Sequence, residues 1–345
     1  MPPSQTSVRR AVSAPPIALT SRLRLAVEVM LRLHRSRLGR WTFAVGSGVV
    51  VIALALLAAR HFAKTSWPFS NGHPALLVVA GLLLLVAQAL KAYGWGRLFI
   101  SDERPKPLAL AAGNGGAALI GLVLPGRFDD AMRVAVVRRY PPCPAGVRAL
   151  CLSLVMLGLI DSAALAPLAF AAAVVGGAGN GARVGLAIVA VGGVAAAALI
   201  IALPRLVGSR RMARFRLGRW LCPRTTSLRR ASEAWALVSA CWVVRAAALF
   251  VLLGALGVGY SVPLALLFLC AGAAAAALPI GPAGTATQVG AQTAALLASG
   301  VGASQALSVA VSVGTLGVLA GSAILLFAVA WRTSLSFVPA RTVVA

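Results

Sequence analysis

Residues 262–299 read VPLALLFLCAGAAAAALPIGPAGTATQVGAQTAALLAS, thirty-eight positions without one charged side chain. About 20 apolar residues in a helix cross hydrocarbon about 30 Å thick. The stretch is therefore too long for one simple span and too apolar to coat a soluble domain. It is also broken in the middle. Pro279 and Pro282 each remove a backbone donor and clash with the preceding turn, so one helix cannot run through Leu278-Pro279-Ile280-Gly281-Pro282-Ala283-Gly284. Broken backbone at membrane depth persists only inside protein or against a wet cavity, and residues 262–299 accordingly read as a re-entrant hairpin. Residues 108–124, rich in Gly and Ala and ending at Leu124-Pro125-Gly126-Arg127, read the same way.

Around these two pieces lie apolar runs of spanning length. Full spans are predicted at about 43–61, 74–97, 149–175, 183–204, 233–257 and 303–331. Of the 345 residues, 60% are hydrophobic and 11% charged, with a mean hydropathy of +0.91. A soluble domain carries about 25% charged residues. Outer-membrane barrels show alternating segments of ~10 residues, and none occur. The fold class is thus all-α: a polytopic integral membrane protein of about six spans plus two re-entrant hairpins. Trp41, Trp67, Trp95, Trp235 and Trp331 fall at or near span ends, as an aromatic belt requires.

The net charge of +25 does not point to nucleic acid, because no helix-turn-helix, zinc-finger or aromatic RNA-binding pattern accompanies it. The basic residues sit instead in alternate gaps between the runs. With the N-terminus inside, 28 of the 32 fall in cytoplasmic segments, Lys91 among them in the segment 91–148. That is the positive-inside distribution, and it makes both termini cytoplasmic. A single crossing at 262–299 would instead put Arg332 and Arg341 outside. Residues 1–18 are Pro/Ser-rich. Residues 19–40 read as a basic amphipathic helix in the interface, with Leu23, Val27 and Met30 on one face, or equally as an unstructured basic anchor. The domains expected are a basic N-terminal segment (1–41), a membrane domain (42–332) and a tail (333–345).

The layout span, span, hairpin, span occurs twice, over 43–175 and over 183–331. From Leu124 to the next span at 149 is 25 residues, and from Leu278 to 303 is again 25. An odd number of crossings per half inverts the second half. Inverted repeats of this plan occur in secondary transporters, whose sites form where broken helices meet.

Ionisable groups inside spans cost about 2.5–3.5 kcal/mol each on insertion scales, so they mark a pathway or a pair. Asp161 and Arg245 both stand 12 residues into spans that start on the cytoplasmic side; an Asp161–Arg245 pair is the economical reading, either locking two helices or facing a substrate, with no contact between the two as the remaining alternative. Arg127, Asp129, Asp130 and Arg133 follow the first Leu-Pro break at the mouth of the hairpin. Arg127, Asp130 and Arg133 share one helix face, suited either to holding a phosphate or to a solvated helix start. Thr285, Thr287, Gln288 and Gln292 offer neutral hydrogen bonds beside the second break. The five cysteines form no CxxC and the three histidines are scattered, so no metal, disulfide or cofactor is expected. No nucleophile–base pair, catalytic carboxylate pair or ATP-binding loop is present, and an enzyme is not expected.

The run Leu124-Pro125-Gly126-Arg127-Phe128-Asp129-Asp130-Ala131-Met132-Arg133 resembles the lysylphosphatidylglycerol synthase transmembrane-region, or flippase-like, family, whose pattern is roughly LPGRxGExxR. Leu278 to Gly284 resembles that family's second signature, roughly LPxSPGGxGxxE. Order, separation and length agree over about 40–332. Pro125, Gly126, Arg127, Arg133, Pro279, Pro282 and Gly284 match, with Asp130 in place of Glu. The chain departs at Asp129, Ala283 and Ala286, each for Gly, and at Val289 for Glu. Of an E-R-x-x-D pattern in the following span it keeps only Asp161.

The resemblance implies a bacterial inner-membrane lipid transporter that moves an anionic or aminoacylated lipid between leaflets, passively or coupled to a gradient. Arg127 and Arg133 would hold phosphate, Asp130 would orient them, Asp161 and Arg245 would relay charge at mid-membrane, and Gln288 would line the path. The alternative is a non-transporting scaffold or regulator of a lipid-modifying enzyme or glycosyltransferase.

Overall fold

The computed structural model describes residue 69 and residues 72–123, 128–140, 143–175, 180–207, 227–277 and 284–336. The expected span 43–61, the N-terminal helix and both Leu-Pro breaks, with Pro125, Gly126, Arg127, Pro279 and Pro282, lie outside them. Among the described residues there are nine α-helices and no strand. They are α1 (Pro74–Gly96), α2 (Pro107–Val123), α3 (Phe128–Arg139), α4 (Val147–Val175), α5 (Asn180–Val207), α6 (Leu228–Ala255), α7 (Val262–Ala277), α8 (Gly284–Ala298) and α9 (Ala303–Ser336). Local chemistry sets the starts. Pro74 supplies a preset φ in the first turn of α1, and Ser227 caps α6 by accepting from the Arg230 amide at 3.4 Å.

Among the described residues, five helices are long and apolar enough to cross a membrane: Pro74–Gly96, Val147–Val175, Gly181–Val207, Leu228–Ala255 and Ala303–Arg332. They coincide with five of the six expected spans. Their outward faces are apolar; on α5, Val184, Ile188 and Val191 recur at helical spacing and are all exposed. In a soluble protein such a stripe would be buried.

Of the expected hairpin 108–124, the described residues 108–123 do not fold back on themselves. They form one unbroken helix, α2, and the return arm of the hairpin is α3. Gly113 and Gly116 let α3 come close: a Cβ on Gly113 would stand 2.9 Å from Val137, and one on Gly116 3.2 Å from Val136. Both open ends of this hairpin, Lys106–Pro107 and Tyr140, line one cavity. Helices α7 and α8 form the second hairpin, with Gly272 against the buried Gln292.

Helices α1 and α6 run antiparallel. Arg97 meets Glu233 at 3.4 Å at one end, and the His73 amide donates to the Ala255 carbonyl at 3.3 Å at the other. Helix α6 begins 154 residues after α1, and α7, α8 and α9 begin within two residues of the same step from α2, α3 and α4. The packing follows that step. Helix α1 packs on α2 as α6 does on α7, α2 on α9 as α7 on α4, and α1 on α9 as α6 on α4. Two crossings are closer than side chains allow. A Cβ on Gly115 would meet the Gly321 carbonyl oxygen at 2.3 Å, and one on Gly193 the Ser162 carbonyl oxygen at 2.4 Å. Small residues at such crossings supply the dispersion contact that holds helices together where apolar lipid gives no hydrophobic drive.

Candidate functional site

Asp161 lies midway along α4, and its ion-pair partner is not Arg245. Lys91 Nζ of α1 donates to Asp161 Oδ2 at 2.6 Å, and Trp242 Nε1 of α6 donates to Oδ1 at 3.2 Å. The carboxylate thus ties three helices, with side chains only 12% (Lys91) and 21% (Asp161) exposed. Arg245 joins indirectly, its guanidinium 5.1 Å from the centre of the Trp242 ring, within cation–π range. Matched depth along two helices is the only thing the expected pair rested on. Which residues meet also depends on how each helix is turned, and α1 turns Lys91 toward α4. Sequence position carried a signal for Lys91, since it falls inside the run 74–97 rather than in the gap after it.

One helical turn further, Trp95 Nε1 donates to Ser153 Oγ at 2.9 Å, and that hydroxyl donates to the Leu150 carbonyl at 2.7 Å. Trp95 is fully buried, so it belongs to the core and not to an interfacial belt; Trp235 and Trp331 remain exposed. Because Lys91 and Trp95 are one turn apart on α1, and Ser153 and Asp161 two turns apart on α4, one seam holds both contacts.

The 154-residue step from α1 to α6 carries Lys91 onto Arg245, and the 156-residue step from α4 to α9 carries Asp161 onto Gly317, two residues past Thr315. Lys91 is neutralised by Asp161. The Thr315 hydroxyl donates to its own helix, to the Val311 carbonyl at 2.9 Å. Arg245 has no carboxylate partner among the described residues. It is half-buried, on the α6 stripe that includes the buried Cys241, Leu249 and Leu252.

The second expected cluster is partly assembled. Arg133 donates to Asp130 and lies 3.4 Å from Asp129, while its Nε is buried without a partner. The cluster stands at the closed end of the α2–α3 hairpin and not at its mouth, because the break at 124–127 precedes the return arm. In the second hairpin, Gln288 is half-buried on α8, and the neighbouring Val289 faces Gly314 of α9. Gly284 begins α8. Helix α2 of the first hairpin touches α8 of the second. Asn114, not singled out above, is buried on α2 with neither side-chain polar atom bonded. An amide within an otherwise apolar run was its signal.

Apolar helices of spanning length, two helical hairpins in contact and ionisable groups tied together inside the bundle define a multi-pass α-helical membrane protein. The chain belongs to the family described as the lysylphosphatidylglycerol synthase TM region, whose model matches residues 42–324. It is a membrane protein of a lipid-related family. No curated protein and no solved structure matches the chain.

Proposed function

We propose that the protein moves an anionic lipid, or one with a modified headgroup, between the leaflets of a bacterial cytoplasmic membrane, with both termini in the cytoplasm. The observation that carries this reading is Arg245, the one of two equivalent cations that has no carboxylate partner among the described residues. Lys91 and Asp161 cancel each other and clamp α1, α4 and α6. Among the described residues no carboxylate balances Arg245, and a lipid phosphate offers two acceptor oxygens to its planar fork. Trp242 links the two cations, stacking on one and bonding the acid of the other.

In this mechanism the α2–α3 and α7–α8 hairpins enter the membrane from opposite sides, and the headgroup passes where α2 touches α8. Arg133, oriented by Asp129 and Asp130, offers donors at the closed end of the first hairpin, and Arg127 adds a second guanidinium six positions earlier in the sequence. Gln288 and Asn114 offer neutral hydrogen bonds along the way. Acyl chains stay in lipid, so only the polar headgroup needs a lined route.

The test is dithionite quenching of headgroup-labelled phosphatidylglycerol in proteoliposomes holding the full chain. Wild type speeds leaflet exchange, Arg245→Gln abolishes most of that rate, and Arg245→Lys retains part of it. Equal rates in wild-type, Arg245→Gln and protein-free vesicles would overturn the reading and favour the scaffold.

A further inference from the structure

The end of the bundle that carries Arg97 and Glu233 contains a cavity of about 650 Å³ between the C-terminal turns of α1 and α9, the first turn of α2 and the end of α3. Ligand sites commonly occupy about 300–1,000 Å³. A second cavity of about 470 Å³ shares Tyr140 and Arg332 with it and reaches Arg139. Neither has an acidic residue in its lining. Lys106 and Arg332 supply positive charge to the larger cavity, and Arg332 is fixed on its wall. The Arg332 guanidinium lies 5.9 Å from the centre of the Tyr140 ring and donates to the Arg139 carbonyl at 2.9 Å.

The opposite wall is apolar, built from Ala89, Ala92, Leu108 and Ala111, with Tyr93 and Trp331 exposed at the rim. Ala89 and Tyr93 continue a face of α1 on which Leu82 and Val86 are exposed. Residues 82, 86, 89 and 93 recur at helical spacing, a stripe about 16 Å long. Basic groups and aromatic rims at the ends of apolar helices lie at headgroup level. A free anion would use the two cations and leave the stripe bare. A lipid uses both.

We propose that this cavity binds one anionic phospholipid, its phosphate between Lys106 and Arg332 and one acyl chain along the Tyr93–Val86–Leu82 stripe of α1. The site stands apart from Arg245 and does not require transport. A resident lipid here bridges α1, α2, α3 and α9 at the open end of the first hairpin.

The experiment takes the full chain, delipidated in neutral detergent, and titrates it with dioleoyl-phosphatidylglycerol, dioleoyl-phosphatidylcholine or inorganic phosphate. Native mass spectrometry counts bound lipid and melting temperature follows stability. Phosphatidylglycerol is expected to bind one per chain and raise the melting temperature, and phosphatidylcholine and phosphate to do neither. Lys106→Gln and Arg332→Gln each weaken binding on the order of tenfold or more, the loss of a charge-assisted contact. Ala89→Leu, which fills the apolar wall and leaves every charge in place, weakens it as well. Arg138→Gln with Arg229→Gln, at exposed basic residues, leaves it unchanged. Equal loss in that control pair means diffuse charge attraction, and equal stabilisation by inorganic phosphate means a free-anion site. Either result overturns the proposal, as does full lipid binding by Ala89→Leu.

Discussion

Replacing Asp161 by Asn keeps an oxygen that accepts from Trp242 Nε1 and removes the charge that Lys91 faces. At 2.6 Å and an effective dielectric constant of about 20, the Lys91–Asp161 attraction is about 6 kcal/mol before desolvation is counted. Much of that offsets the cost of holding two ions at 12% and 21% exposure. Removing one member strands the other, so Asp161→Asn and Lys91→Met are each expected to cost about 3–5 kcal/mol. The double variant leaves no stranded charge and should cost little more than either single one. The coupling energy is then about 2 kcal/mol or more, within the range for residues in direct contact. Unfolding in mixed micelles with rising dodecyl sulfate, followed by Trp fluorescence, measures the four corners of the cycle. A parallel cycle of Asp161→Asn with Arg245→Ala should show coupling below about 1 kcal/mol, since Arg245 touches Trp242 and not the acid. Additivity within about 0.5 kcal/mol for the Lys91 cycle, or stronger coupling to Arg245 than to Lys91, would refute the reasoning.

Other substitutions follow from the same contacts. Trp242→Phe keeps a ring under Arg245 and loses the donor to Asp161, costing about 1 kcal/mol in the same micelle titration. Ser153→Ala leaves the buried Trp95 indole N–H without its acceptor, at about 1–3 kcal/mol, and should shift Trp95 emission. Gly115→Ala forces α2 from α9, because the new Cβ would meet the Gly321 carbonyl at 2.3 Å, and should cost about 1–3 kcal/mol. Gly158→Ala, with nothing within 4 Å, should be neutral or stabilise α4 by up to about 1 kcal/mol. A thermal melt in detergent separates the two alanines, and equal melting temperatures would contradict the close crossing.

How far the chain was legible varies by residue. Asp161 was legible as a functional or structural group, since a carboxylate midway along a spanning run needs a partner wherever it sits. Its partner was not. Lys91 is five residues before Gly96, about 7.5 Å along the axis from the end of α1, and counts by sequence with the cytoplasmic gap 91–148. Its stem lets the ammonium reach Asp161 from there. Trp95 was placed at a span end correctly but facing the wrong way, because period and depth do not say which flank of a uniformly apolar helix meets protein. For the same reason the cluster Asp129–Arg133 was located in sequence but assigned to the mouth of the hairpin. Only α3 folding back along Gly113 and Gly116 puts it at the closed end.

The sequence by itself determined that the protein is helical, lies in a membrane and belongs to its family. Hydrocarbon thickness is a one-dimensional constraint, and run lengths, charge gaps and the two Leu-Pro breaks meet or fail it without reference to any other part of the chain. The tertiary structure alone decided which cation neutralises Asp161, that Arg245 meets no carboxylate among the described residues, and that Lys106 and Arg332 share a cavity although 226 residues separate them. Those outcomes depend on the rotation of each helix about its axis. In an apolar chain that rotation is set by glycine crossings and polar ties between distant helices, and not by any local pattern.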